Sequence, residues 1–90
     1  MTTAFSKKHT NSRAPIRVRF YNLQSIVSFV NIIEEESARA EVISPRMRMD
    51  ARSLLGLVNL GFDESYDLVL YEDDAKKNQI LQRLDEYIVH

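Results

Sequence analysis

Residues 50 to 61 read Asp50-Ala51-Arg52-Ser53-Leu54-Leu55-Gly56-Leu57-Val58-Asn59-Leu60-Gly61. Ser53 stands immediately before an apolar run that stops at Gly61, a pattern that predicts a brief helix with a serine N-cap and a left-handed glycine at its end. The run is rich in large apolar side chains, namely Leu54, Leu55, Leu57, Val58 and Leu60. Two helical turns cannot hide all of them on one face, so we expect some to form an exposed contact patch.

The composition predicts one small domain and excludes several classes of function. The chain has 90 residues, 44% of them hydrophobic, and no cysteine, which rules out disulfides, cysteine-ligated zinc and thiol catalysis. No apolar run is long enough for a membrane span or a signal peptide, and the acidic residues lack calcium-loop spacing. We therefore expect a cytoplasmic protein with no membrane partner, no metal and no cofactor. A net charge of −1 gives no reason to expect nucleic acid as a partner.

The first 14 residues differ from the rest of the chain. They are rich in Thr, Ser, Lys and Asn, and residues 1–21 contain five basic residues and no acidic one. Such a segment offers too little apolar surface to offset its ordering entropy. We predict a flexible basic leader over residues 1–14 and a folded domain over residues 15–90.

The first half of the domain predicts a strand followed by a helix. Ile16, Val18 and Phe20 alternate with polar residues, as in a strand with one buried face. Asn22 is a suitable N-cap for the next helix. The apolar stripe of that helix is predicted to contain Leu23, Ile26, Val27, Val30 and Ile33. Its acidic end at residues 34–36 is disfavoured by the helix dipole, so we expect fraying there.

The second half predicts two short strands, the short helix, a further strand and a last helix. The two strands flank a turn at Ser44-Pro45, the further strand covers residues 66–71, and Asp73 or Asp74 caps the last helix. The stripe of that helix is predicted to be Ile80, Leu84, Tyr87 and Ile88. This element order predicts an α+β fold, in which helices pack on one face of a mostly antiparallel sheet.

The segment from Ser53 to Gly61, its spacing from Phe29-Val30 and the element order together resemble HPr, the small phosphocarrier of the bacterial sugar phosphotransferase system. The resemblance covers roughly Pro15 to Ile88. It implies an open-faced β-sandwich, in which a four-stranded sheet carries three helices on one face. An HPr-like domain over residues 15–90 is the expectation.

Active members of this family carry a phosphoacceptor histidine at the end of the first strand, followed after one small residue by arginine and proline. Counted back from Phe29-Val30, the three positions hold Asn22, Gln24 and Ser25. A carboxamide nitrogen is neither basic nor usefully nucleophilic, so Asn22 cannot replace the histidine. Gln24 is uncharged, so it cannot bind a phosphoryl group as the guanidinium of arginine does. We therefore predict no phosphocarrier chemistry by the family's mechanism, no catalytic residue and no enzymatic activity.

His9 is the residue that could be mistaken for the missing acceptor. The stretch from His9 to Pro15 is similar to the family's His-x-Arg-Pro motif, but it has extra residues and precedes the first strand. There it would have no helix N-terminus to stabilise a phosphoryl group. We expect His9 to be an ordinary residue of the leader.

Ser53 matches the family's regulatory serine. In one branch of the family a kinase phosphorylates this residue, and the modified protein binds a transcription factor of carbon catabolite control. Two interpretations of Ser53 stay open here, a regulatory phosphorylation site and an unmodified helix cap, because serine is among the commonest caps.

The resemblance also implies a partner-binding surface. Leu54, Leu55 and Val58 match positions that dock on enzyme I and on other partners, while Gln24 and Arg52 would border them. The leading hypothesis is a non-catalytic interaction or regulatory protein that acts on proteins of the phosphotransferase system or on a carbon-regulation transcription factor. One alternative is a phosphocarrier component with a different acceptor, and another is a recruited scaffold or oligomerisation domain.

Overall fold

The computed structural model describes residues 15–90, so the leader predicted over residues 1–14, with His9, lies outside the described residues. Its elements are β1 (Ile16–Arg19), α1 (Leu23–Glu35), β2 (Ala40–Ile43), β3 (Arg48–Asp50), α2 (Leu54–Leu60), β4 (Ser65–Leu70), α3 (Asp74–Arg83) and a closing 3-10 turn (Asp85–Tyr87). The strands form one sheet in the order β1-β4-β2-β3, and every neighbouring pair is antiparallel. The predicted α+β fold is confirmed.

The strands bury one face of the sheet and expose the other. Along β4, for example, Tyr66, Leu68 and Leu70 are buried, while the residues between them are only partly covered. The uncovered face is mostly polar, although it includes Ile43 and Val69. On it, the Arg48 guanidinium lies 3.1 Å from the Glu41 carboxylate, which also accepts a hydrogen bond from the Tyr71 hydroxyl at 2.7 Å. Pairs this exposed add little stability, so the fold depends on the buried face.

The core is centred on aromatic rings contributed by the residue after β1, by α1 and by the closing turn. Phe20 and Phe29 are fully buried, with ring centroids 5.0 Å apart, and Tyr87 lies 5.9 Å from Phe29. Phe29 thus belongs to the buried stripe of α1, although it was not among the predicted residues. The prediction for Leu23 was wrong, because this residue lies in the first turn at the margin of the face and is 55% exposed.

The acidic end of α1 is held against α3 and does not fray as expected. Arg83 lies 2.6 Å from Glu35 and 3.0 Å from Glu36, and Gln79 donates to Glu36 at 2.7 Å. The hydrogen bond from Arg83, with a smaller one from Gln79, holds the pKa of Glu36 below its usual value. The unfavourable helix dipole is therefore offset by a cation from another helix.

The turn after α1 contains a residue with a positive φ. Ser37 has a φ of 51°, and the amide of Ala38 donates to the carbonyl of Ile33 at 3.0 Å, as in a Schellman motif. A side chain with a Cβ is strained in this conformation, and glycine is not.

Ser37→Gly is therefore expected to raise the free energy of unfolding by about 0.5–1 kcal/mol, because it relieves the strain at φ of 51°. Urea denaturation measures the change. Ser37→Ala removes the hydroxyl but keeps the Cβ, so it should be nearly neutral. An equal gain from alanine would show that the positive φ is not the cause.

The outer edge of β1 is covered by residues near the end of the chain. Val18 forms a bridge with Ile88, and the amide of Val89 donates to the Arg17 carbonyl at 2.8 Å. Pro15 and His90 both border the cleft beside this strand. Over residues 15–90, no helix is long and apolar enough to span a membrane.

Candidate functional site

The short helix α2 begins as predicted and ends with an unpredicted contact. The Ser53 hydroxyl accepts a hydrogen bond from the Gly56 amide at 3.2 Å, which confirms the N-cap. Gly61 has φ 97° and ψ 178°, so its φ is positive but its conformation is extended and not left-handed helical. The Tyr66 hydroxyl donates to the carbonyls of Leu60 at 2.6 Å and Gly61 at 3.1 Å, where helix carbonyls otherwise lack partners.

The apolar residues of α2 divide into a buried and an exposed set. Leu57 is fully buried and contributes about 2 kcal/mol by its burial. Gly56 permits the close approach of β3, because a Cβ there would collide with the side chains of Met49 and Ser53. Leu54 and Leu55 are 40% and 78% exposed, as expected for a helix with more apolar residues than one face can bury.

Helix α1 contributes further apolar surface beside α2. Ser53 and Glu34 border the same shallow cleft, so α2 begins next to the C-terminal half of α1. Helical spacing places Leu23 and Val27 on the same side of α1 as Glu34. We call the apolar residues of these two helix sides the α1–α2 patch, which consists of Leu23, Val27, Leu54, Leu55 and Val58.

Arg52 lies at the Ser53 end of this patch and is paired with Asp50. Its guanidinium donates to the two carboxylate oxygens at 3.3 and 3.2 Å, and its amide donates to the same group at 2.8 Å. These hydrogen bonds, the one from the Arg52 side chain above all, hold the pKa of Asp50 below its usual value. The charge of Arg52, which was predicted to border the surface, is therefore partly neutralised by Asp50. Asp50 was not among the residues that the sequence predicted for the site.

Asn22 acts as a structural cap. Its side-chain oxygen accepts from the Ser25 amide at 2.9 Å and from the Ser25 hydroxyl at 3.1 Å, which confirms the predicted N-cap. Gln24 is exposed, and its amide donates to the Ser28 hydroxyl at 3.3 Å. Over residues 15–90, no group of three or more His, Cys, Asp or Glu side chains is placed to hold a metal ion.

The predicted site residues fall into two groups at different ends of α1. Asn22 and Gln24 lie at its start, whereas Ser53 and Arg52 lie near Glu34. Eleven residues of helix, at 1.5 Å each, place Leu23 and Glu34 about 16 Å apart. A partner that contacts both ends would therefore span the whole α1–α2 patch.

Comparison with solved structures confirms the fold of this domain. Neither a protein-family model nor a curated protein sequence matches the chain. Among solved structures, the chain is similar to the crystal structure of HPr-C-His from Thermoanaerobacter tengcongensis, with a TM-score of 0.62 and 18% sequence identity. The match covers 81% of this chain and 85% of that chain. At this identity the likeness concerns the fold, and the fold is HPr-like.

Proposed function

We propose that the protein is an HPr-like interaction or regulatory protein without phosphocarrier activity. It docks through the α1–α2 patch on proteins of the sugar phosphotransferase system or on a transcription factor of carbon regulation. The observation that carries the proposal is the exposure of Leu54 and Leu55, 40% and 78%, on a helix without a charged residue. Large exposed apolar side chains on neighbouring residues are typical of sites that a partner covers.

The role of Asn22 supports the non-catalytic part of the proposal. Its carboxamide oxygen is occupied by two donors from Ser25, and an amide is a poor nucleophile. Tyr21 and Leu23, on either side, are 62% and 55% exposed. Apolar neighbours of this kind suit contact with a protein better than a doubly charged phosphoryl group.

The surroundings of Ser53 support its role as a switch. A phosphate on its hydroxyl would add nearly two negative charges at one end of the patch. Arg52 would attract this group, while Asp50 and Glu34, which border the same cleft, would repel it. Phosphorylation would thus change the charge that a partner meets, without altering the leucines themselves.

Two phosphorylation assays test the proposal. With a kinase of the HPr family and ATP, we expect the wild-type protein to gain one phosphate by intact mass and Ser53→Ala to gain none. With enzyme I and phosphoenolpyruvate, we expect no acid-labile phosphate. An acid-labile phosphoryl group would favour the phosphocarrier alternative. If the kinase leaves the wild-type protein unmodified, the proposed regulatory phosphorylation of Ser53 is wrong.

A further inference from the structure

Helix α2 buries less apolar surface than α1 does. Its only large, fully buried side chain is Leu57, with Val58 and Leu60 partly buried against the core, whereas α1 buries Ile26, Phe29 and Ile33 completely. It has no charged residue, so no ion pair fixes it, in contrast to the pairs between α1 and α3. Elements with little buried apolar area open with lower free energies than the core around them.

The Tyr66 hydroxyl ties the end of α2 to the sheet. The ring is buried and stacks on Phe20, with centroids 6.5 Å apart, so the phenol projects from a rigid strand. It donates to Leu60 at 2.6 Å and to Gly61 at 3.1 Å. Burial, and less strongly the charges of Glu64 and Asp63, raise the pKa of Tyr66, so the group remains a donor at neutral pH.

We infer that α2 opens as a unit without the rest of the domain. The Tyr66 hydroxyl, which we call the latch, holds the end of α2 and thereby determines the fraction of molecules in which the helix is open. Opening breaks the hydrogen bonds to Leu60 and Gly61 and removes the side chains of Leu57, Val58 and Leu60 from the core, while the aromatic rings stay packed. Leu57 then joins Leu54 and Leu55 as accessible apolar surface, so the latch controls how much of the helix a partner can reach.

Native-state hydrogen exchange of the full chain tests this inference without any partner. The conditions are those in which the exchange rate of an amide reports the equilibrium between the closed and the open state. In the wild type, we expect the hydrogen-bonded amides of α2 to exchange at least about tenfold faster than those of α1 after correction for intrinsic rates. Tyr66→Phe keeps the ring and removes the latch. It should accelerate exchange of the α2 amides about fivefold, the equivalent of one hydrogen bond.

Ile80→Val is the control that separates local from global opening. Ile80 is fully buried on α3, so the variant should accelerate exchange in α1 about fivefold. It should leave α2 unchanged, because α2 exchanges before the core unfolds.

Two results would overturn the inference. If Ile80→Val accelerates α2 as much as α1, the helix opens only with the whole domain. If Tyr66→Phe leaves α2 unchanged, the hydroxyl is not the latch. Neither result depends on whether Ser53 is phosphorylated, so the inference and the proposed function fail separately.

Discussion

Leu55→Glu is expected to slow phosphorylation of Ser53 by an HPr-family kinase at least about tenfold, which corresponds to about 1.4 kcal/mol of lost docking energy. Leu55 is 78% exposed at the start of α2, so its side chain is available to a partner and adds little to the core. A carboxylate there would have to be desolvated when a partner covers this surface. Initial rates measured by intact mass give the effect.

The fold of this variant should be unaffected, since exposed substitutions usually change the free energy of unfolding by less than about 0.5 kcal/mol. Val89→Glu is the matched control, because Val89 is 44% exposed in the cleft beside β1 and not on α2. Equal slowing by both variants would point to general charge repulsion. An unchanged rate for Leu55→Glu would show that the kinase does not use the α1–α2 patch.

Phe20→Ala is expected to lower the free energy of unfolding by about 4 kcal/mol. Phe20 is fully buried. Its ring centroid lies 5.0 Å from that of Phe29 and 6.5 Å from those of Tyr66 and Tyr87. Removing the ring leaves a cavity among three other aromatic groups, and filling it would disturb the edge-to-face contact between Phe29 and Tyr87. Urea denaturation followed by circular dichroism measures the loss.

The neighbouring residue supplies the control for this variant. Tyr21 is 62% exposed, and Tyr21→Ala should change stability by no more than about 0.5 kcal/mol. Similar losses for the two variants would mean that the strand register places the wrong face against the helices. A loss below about 1.5 kcal/mol for Phe20→Ala would mean that the core repacks around the gap.

Sequence reasoning predicted the elements of this fold because their signals are local. Asn22, Ser53 and Asp73 each cap a helix through an amide three residues ahead, and such a contact needs no knowledge of the remaining chain. Alternation likewise predicted the buried side chains of Val18 and Phe20, whereas Ile16, at the start of β1, is only partly covered. The strand predicted over residues 66–71 begins one residue earlier, at Ser65, and ends at Leu70.

Contacts between distant residues could not be predicted in this way. The pairing of Glu36 with Arg83 joins residues 47 positions apart, and only the packing of α3 on α1 brings them together. The same packing explains why the C-terminal end of α1, which was expected to fray, is held in place. For the site, the sequence identified the leucines of α2 but not the Tyr66 latch, because alternation predicts a buried face and does not say where a hydroxyl finds its acceptor.

The cleft bordered by both Pro15 and His90 has a consequence for how this domain can be joined to other proteins. Pro15 and His90, the first and last of the described residues, lie on the same side of the domain, so a host protein could carry residues 15–90 as an insertion in a surface loop. A short linker across the cleft would equally allow circular permutation, with new termini in the turn at Ser44-Pro45. Such a permuted protein would present α2 unchanged on a differently connected chain.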